Sequence, residues 1–186
     1  LHELEVGKRY CIYVTTFAGL YRYNMNDLIE VTGHYGTIPT IQFIQKVNGI
    51  ISLTGEKLHE RQFIEAVHEA EKETGISTKF FVGFADIDDS VYHLYYEFAD
   101  LSIDQAKAEE FSVVVDKKLK GINIEYEAKR DSFRLKDPVT HLLQKESFET
   151  FKARCIEQGS RDGQFKMNLL MQDERRHAMF KDLIKK

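Results

Sequence analysis

Three short segments of this chain carry residue types that could do chemistry. The carboxylate of Asp27 offers two acceptor oxygens, which match the two hydroxyls of a vicinal diol. Lys166 follows Gly163 in a glycine-flanked segment, where its ammonium could reach a phosphate or a developing negative charge. Between them, Gly55 widens the backbone choices of the segment 54–57, TGEK, which could absorb a change of φ and ψ. Each segment also has an ordinary interpretation, as a capping carboxylate, a solvated lysine and a strand-to-helix turn.

The elements that position Asp27 are predicted to be strands. β-branched and aromatic residues between glycines predict strands over 9–16, 18–23, 28–32, 40–46 and 49–53. The last two are predicted to form a hairpin, because Asn48-Gly49 between them tolerates the positive φ of a tight turn. The first fifty residues are therefore predicted to be all-β.

Beyond Gly55 the pattern changes to helices and strands. Apolar residues recur at helical spacing over 59–74, Gly75 is placed to end that helix, and Asp104 can cap a second helix over 105–120. The other predicted elements are strands at 79–86, 91–99, 122–128 and 133–134, an extended segment at 138–142, and helices at 147–158 and 173–185. Strands flanked by helices predict an α+β fold, with a sandwich that contains a mostly antiparallel sheet. The change of pattern near 52–60 predicts a β-rich domain over 1–54 and an α+β domain over 55–186.

Composition and charge exclude several function classes. The 186 residues carry a net charge of −4, which gives no electrostatic reason to expect nucleic acid or an anionic membrane as partner. No apolar run approaches the roughly 18 residues that a membrane-spanning helix requires. Cys11 and Cys155 lack ligand spacing and are predicted to be buried, reduced thiols of a cytoplasmic protein. His59 and His68 miss the spacing of a two-histidine zinc motif, so no metal site is predicted.

Two of these stretches together resemble a known enzyme class. Thr15–Gly33, followed by Ser52–Leu58, resembles the nucleotide-ribose and hinge segments of adenylate-forming enzymes. More narrowly, Gly19–Tyr23 (GLYRY) and Gln164-Phe165-Lys166 resemble the auxin-responsive-promoter (Gretchen Hagen) family of acyl acid amido synthetases. Asn24 and Asn26 stand where adenylate-forming enzymes usually have arginine and glycine, and Met167-Asn168 replaces a usual Pro-Arg pair.

The resemblance implies an ATP-dependent ligase with two half-reactions. ATP and a carboxylic acid give an acyl-adenylate and pyrophosphate, and the amine of an amino acid then displaces AMP to form an amide. The implied roles are ribose and ATP binding for Asp27 and Tyr23, a hinge at Gly55, Glu56 and Lys57, and catalysis by Lys166 near the phosphates. Mg²⁺ accompanies the ATP.

The resemblance also implies that the chain is a piece of a longer protein. The chain does not begin with methionine, and it lacks a glycine-rich or serine/threonine-rich phosphate loop and any assignable acyl pocket. Those parts, and most of the ATP and Mg²⁺ site, are expected in an N-terminal domain of the same protein. Residues 1–54 would then be the β-rich end of the adenylation domain, and 55–186 its C-terminal lid.

Two other functions are compatible with the sequence. Another adenylate-forming enzyme, such as an acyl-CoA ligase, would share Asp27 and the hinge. A non-catalytic α+β module that binds a small molecule would share only the fold. The acid, the amino acid and the oligomeric state are not specified by the sequence.

Overall fold

The computed structural model describes residues 3–46, 49–157 and 167–185, and the chain divides into two compact units. The first unit is Leu1–Ile50 and the second is Ile51–Lys186. The assignment of functional domains to 1–54 and 55–186 stays a prediction. No helix among the described residues is long and apolar enough to cross a membrane.

The first unit contains one antiparallel sheet of three strands. In spatial order these are β1 (Arg9–Val14), β2 (Tyr23–Tyr35) and β3 (Ile38–Lys46). Tyr35 pairs with Ile38, so β2 and β3 are joined by a two-residue turn that begins at Gly36, whose φ is +60°. The prediction of an all-β start is confirmed for the described residues.

Two details of the predicted strand pattern are wrong. Residues 18–22 form a loop rather than a strand, because Gly19 and Arg22 have positive φ angles of 100° and 48° that turn the chain back. The strand predicted over 28–32 is too short, because β2 runs from Tyr23 through Asp27 to Tyr35.

The predicted hairpin between 40–46 and 49–53 is also wrong. Strand β3 pairs with β2, whereas the short strand β4 (Ile50–Ile51) pairs with β5 (Leu58–His59). The tight turn that forms a hairpin with β3 lies at Gly36, between β2 and β3, and β4 finds its partner in β5. Asn48 of the predicted turn lies outside the described residues.

The second unit is a four-stranded sheet with helices on both faces, which confirms the α+β class. The spatial order is β8 (Val139–Leu142), β7 (Val91–Phe98), β6 (Thr78–Asp86), β9 (Leu170–Met171). The long central pair β6–β7 is antiparallel, and the two short edge strands run parallel to their neighbours. The helices in the part of this unit that the structure describes are α1 (Glu60–Thr74), α2 (Gln105–Ile122), α3 (Ile124–Asp131), α4 (Ser147–Glu157) and α5 (Glu174–Lys181).

Alternation along β7 explains the two helical layers. Tyr92, Leu94 and Tyr96 belong to the core cluster that includes residues of α1, α2 and α3. Tyr95, between them, belongs to a second cluster with residues of α4, β9 and α5. Both faces of the sheet are therefore covered by helices.

The two predicted helix ends are confirmed. Gly75 adopts a left-handed conformation with a φ of +71°, and its N–H donates to the carbonyl of Glu71 at 2.9 Å. The carboxylate of Asp104 accepts the N–H of Lys107 at 2.9 Å at the start of α2.

The predicted strand at 122–128 is wrong, because these residues enter helix α3. Asn123 caps that helix by accepting the N–H of Tyr126 at 2.9 Å, and Tyr126 and Arg130 are buried one helical turn apart. The predicted strand at 133–134 is a turn in which Phe133 has a φ of +56°. The last helix ends at Lys181 rather than at residue 185.

Candidate functional site

Asp27 lies at an irregularity in β2. The pairing between β1 and β2 moves from Cys11–Leu28 to Tyr13–Asn24, so β2 bulges between Asn24 and Leu28. The pairing with β3 also shifts just after Leu28. A β-bulge twists the strand locally and re-aims its side chains, and it is common beside active sites. The half-buried carboxylate of Asp27 is therefore presented from a distorted part of the sheet.

The first unit exposes an unusual amount of large apolar surface. Tyr23 begins β2, opposite Val14, and is 54% exposed. Among the described residues of this unit, the other exposed large apolar side chains are Val6, Tyr13, Phe17, Leu20, Tyr21, Met25, Tyr35, Ile38, Ile41 and Phe43. Apolar surface on this scale usually marks an interaction surface.

The segment 54–57 is a turn organised around the carboxylate of Glu56, which is fully buried. Its Oε1 accepts the N–H of Leu53 at 2.8 Å and also the hydroxyl of Tyr92 on β7. Its Oε2 accepts the N–H of Thr54 at 2.8 Å. Gly55, with a φ of +109°, and Lys57, with a φ of +46°, complete the turn.

A second anchor of this turn comes from the start of helix α3. The amide nitrogen of Asn123 donates to the carbonyl oxygen of Glu56 at 3.1 Å and to Oε1 of Gln62 at 3.1 Å. The side chain of Lys129 lies over Gly55, where an added Cβ would come within 3.4 Å of Cε. The turn is therefore tied to β7 and α3 of the second unit.

The surroundings of Glu56 favour its ionised form. Burial alone would raise the pKa of this carboxyl, but the hydrogen bonds from Leu53, Tyr92 and Thr54 outweigh burial and hold the pKa below its usual value. The pKa of Tyr92 is raised well above its usual value by burial and by the adjacent carboxylate. The proton therefore stays on the tyrosine, which donates to Glu56.

The predicted site residues fall into three groups. Asp27 and Tyr23 lie in the first unit, and Gly55, Glu56 and Lys57 lie in the second. Lys166, with Gln164 and Phe165, lies outside the described residues.

The candidate metal ligands and the two cysteines were located among the described residues. Among the described residues, no group of three or more His, Cys, Asp or Glu side chains is arranged to hold a metal ion. Both cysteines are free, and Cys155 is buried as predicted. The same prediction is wrong for Cys11, which is exposed on β1, an alternating strand whose odd-numbered side chains face solvent.

Two features of the structure were not predicted from the sequence. The anchoring of Glu56 depends on Tyr92 and Asn123, which are distant in the sequence and give no local signal. A cluster of histidines also converges on the sheet from positions that are far apart, and their spacing alone could not reveal it.

Comparison with protein families matches most of the chain. The sequence model of the GH3 family C-terminal domain matches residues 61–175, and that of the GH3 family central domain matches residues 1–46. The boundary between the two matches lies between β3 and the start of α1.

Curated relatives agree with these matches. The chain is 30% identical over 175 residues to the indole-3-acetic acid-amido synthetase GH3.4 of Arabidopsis thaliana. The alignment covers 90% of this chain and 29% of that protein. The chain is also 34% identical over 89 residues to the 4-substituted benzoates-glutamate ligase GH3.12 of the same plant, covering 46% of this chain and 16% of the relative. The chain thus spans less than a third of the length of these relatives.

A solved structure has a similar fold. The GH3.15 acyl acid amido synthetase superimposes with a TM-score of 0.61 at 21% identity. The match covers 100% of this chain and 34% of that one.

Proposed function

The chain belongs to the GH3 family, and on that premise we propose that it is the C-terminal part of an ATP-dependent acyl acid amido synthetase. The longer ligase adenylates a carboxylic acid and conjugates it to an amino acid. The observation that carries the proposal is the match of consecutive stretches of the chain to the central and C-terminal domains of one family. The position of Asp27 at a bulge supports it, since a bulge can aim a carboxylate away from the sheet.

In this ligase Asp27 accepts hydrogen bonds from the ribose hydroxyls of ATP, and Tyr23 lies beside the nucleotide. The fit is one of chemistry: a half-buried carboxylate has two oxygens for two vicinal hydroxyls. Mg²⁺ accompanies ATP, and both are held mainly by an N-terminal domain of the same protein. That domain also covers apolar side chains exposed on the first unit, including Tyr13, Tyr35 and Ile38.

The second unit is the lid of the ligase. The hinge contains Gly55, Glu56 and Lys57, on the side that belongs to the lid. Glu56 ties their turn to Tyr92, and Asn123 holds the backbone of this turn. The turn then moves with the second unit when the lid rotates between half-reactions. Lys166 supplies a cation to the phosphates during adenylation, and the protein works in the cytoplasm.

Asp27→Ala is expected to weaken ATP binding by the longer ligase about ten- to hundredfold. Loss of a charge-assisted hydrogen bond to the ribose costs about 1.5–3 kcal/mol. The measurement is the dissociation constant of ATP and of 2′,3′-dideoxy-ATP for the wild type and the variant.

The variant should lose most of the wild-type preference for ATP over the dideoxy analogue. Asp88→Ala removes an exposed carboxylate in the turn after β6 and should leave that preference unchanged. If Asp27→Ala still discriminates the two nucleotides as the wild type does, Asp27 is not the ribose ligand.

A further inference from the structure

Three histidines that are distant in the sequence meet on the face of the four-stranded sheet that packs against α5. His93 lies on β7, His141 on β8 and His177 on α5. Nδ1 of His93 is 3.0 Å from Nε2 of His141, and the two rings are stacked with centroids 5.2 Å apart. The ring of His177 is 4.8 Å from that of His93, and its Nε2 is 2.9 Å from the hydroxyl of Tyr95. The cluster therefore joins two strands to a helix.

The contact between His93 and His141 survives only while at least one of them is neutral. A nitrogen–nitrogen hydrogen bond needs one N–H and one free lone pair, and a fully protonated pair has only N–H groups to offer. The two imidazolium charges would also repel each other at this distance. Protonation of the whole cluster therefore breaks this contact, which is one of the side-chain contacts between β7 and β8.

The charged groups around the cluster give the order of protonation. A carboxylate oxygen of Asp86, on β6, lies 3.7 Å from Nε2 of His93, and the charge of Asp89, in the turn after β6, also favours protonated His93. Lys181, on α5, opposes protonation of all three histidines, and the charge of Asp86 partly offsets this at His177. The first proton therefore goes to His93, and His141 and His177 then each face a cation.

Protonation of the cluster lowers the stability of the folded state as the pH falls. Burial lowers the pKa of His141 and of His177 to about 4, and the positive charges of neighbouring groups add to the effect. The pKa of a histidine in water is about 6.5. Between about pH 4 and pH 6.5, the folded state therefore binds fewer protons than a state in which α5 has left the sheet and the histidines are solvated. Stability is therefore full above about pH 6.5 and declines as the pH falls toward about 4.

We propose that these three histidines form a pH-operated latch that holds helix α5 on the sheet near neutral pH and releases it in weakly acidic solution. Tyr95, Phe84 and Phe180 complete the packing around the latch and remain uncharged in this range. The opposite face of the sheet is packed by α1 and α2 through aromatic and aliphatic side chains. Its packing does not depend on the charge of the latch, so release is confined to the α5 side.

Amide hydrogen exchange of the 186-residue chain, read by mass spectrometry at about pH 7 and about pH 5, tests the latch. After correction for the intrinsic exchange rate, the amides of α5 and β8 should exchange on the order of 10²-fold faster at the lower pH. The amides of α1 and α2 should change by no more than a few-fold.

The second part of the experiment uses a variant in which glutamine side chains replace two of the histidines. Glutamine keeps the hydrogen bonds but does not titrate. In His141→Gln/His177→Gln the amides can replace the imidazoles toward His93 and Tyr95, so most of the acid-induced gain in exchange should disappear. His34→Gln, at an exposed position on β2, should behave as the wild type.

Either of two results would overturn the latch. The first is a wild type in which acid speeds amide exchange equally in all helices, or in no helix. This result decides the question even if the double variant does not fold. The other is a folded double variant with undiminished acid sensitivity of α5.

Discussion

Glu56→Ala is expected to lower the free energy of unfolding of the chain by about 3–5 kcal/mol. The substitution leaves four donors without their acceptor, namely the N–H groups of Leu53 and Thr54 and the hydroxyls of Thr54 and Tyr92. Each buried donor that loses its partner costs about 1–3 kcal/mol. Urea unfolding followed by circular dichroism measures the change.

Two milder variants separate the contribution of the carboxylate to stability from that of its hydrogen-bond partners. Tyr92→Phe removes one donor and leaves the carboxylate with its two backbone partners, so about 1 kcal/mol is expected. Glu56→Gln keeps the shape but turns an N–H₂ group toward one backbone donor, so its effect should exceed that of Tyr92→Phe. Glu110→Ala, at an exposed position on α2, is the matched control. A loss for Glu56→Ala as small as that of the control would contradict the anchoring role.

The pH dependence of the same variants has a defined sign. The pKa of Glu56 is lowered in the folded state, so its contribution is present above the ordinary value near 4.5 and is lost as the pH falls through the folded value. The difference in stability between wild type and Glu56→Ala should therefore shrink below about pH 4.5. The histidine latch acts at higher pH, so the two effects are separable.

Lys166→Ala in the longer ligase is expected to slow acyl-adenylate formation by about 10²–10³-fold. The loss of one electrostatic contact to the transition state typically costs about 2.7–4 kcal/mol. A cation that reaches the phosphates in only one closed state should not affect the second half-reaction. Aminolysis of a supplied acyl-adenylate is therefore expected to proceed at nearly the wild-type rate.

Single-turnover assays of the two half-reactions measure these rates separately. Lys145→Ala, at an exposed position just before α4, should alter neither rate. Equal slowing of both half-reactions by Lys166→Ala would point to a packing defect, and no slowing would remove Lys166 from the site.

The features that sequence could predict are those specified by local residues. Gly75 and Asp104 end and begin helices through contacts within one turn, and both predictions are confirmed. The order of helix-like and strand-like apolar spacing along the chain predicted the α+β class, which is also confirmed. The hairpin predicted at Asn48-Gly49 is wrong, because the chain turns from β2 into β3 at Gly36 and β3 pairs with β2.

The features that sequence could not predict depend on distant partners. Helix α3 has only two buried side chains, Tyr126 and Arg130, so its helical stripe was too short to outweigh the strand-like residues Ile122 and Ile124. Strand β9 has two residues and exists only because it pairs with β6, far earlier in the chain. The buried role of Glu56 likewise depends on Tyr92.

The most direct test of the proposed activity is product formation by the longer ligase. ATP and a panel of carboxylic acids are supplied with either amino acids or coenzyme A, and AMP, amide and thioester are quantified. The GH3 assignment predicts equal amounts of AMP and amide that require both an acid and an amino acid, and no turnover by residues 1–186 alone. A coenzyme A thioester without amide, or AMP formation that is independent of the amino acid, would contradict it.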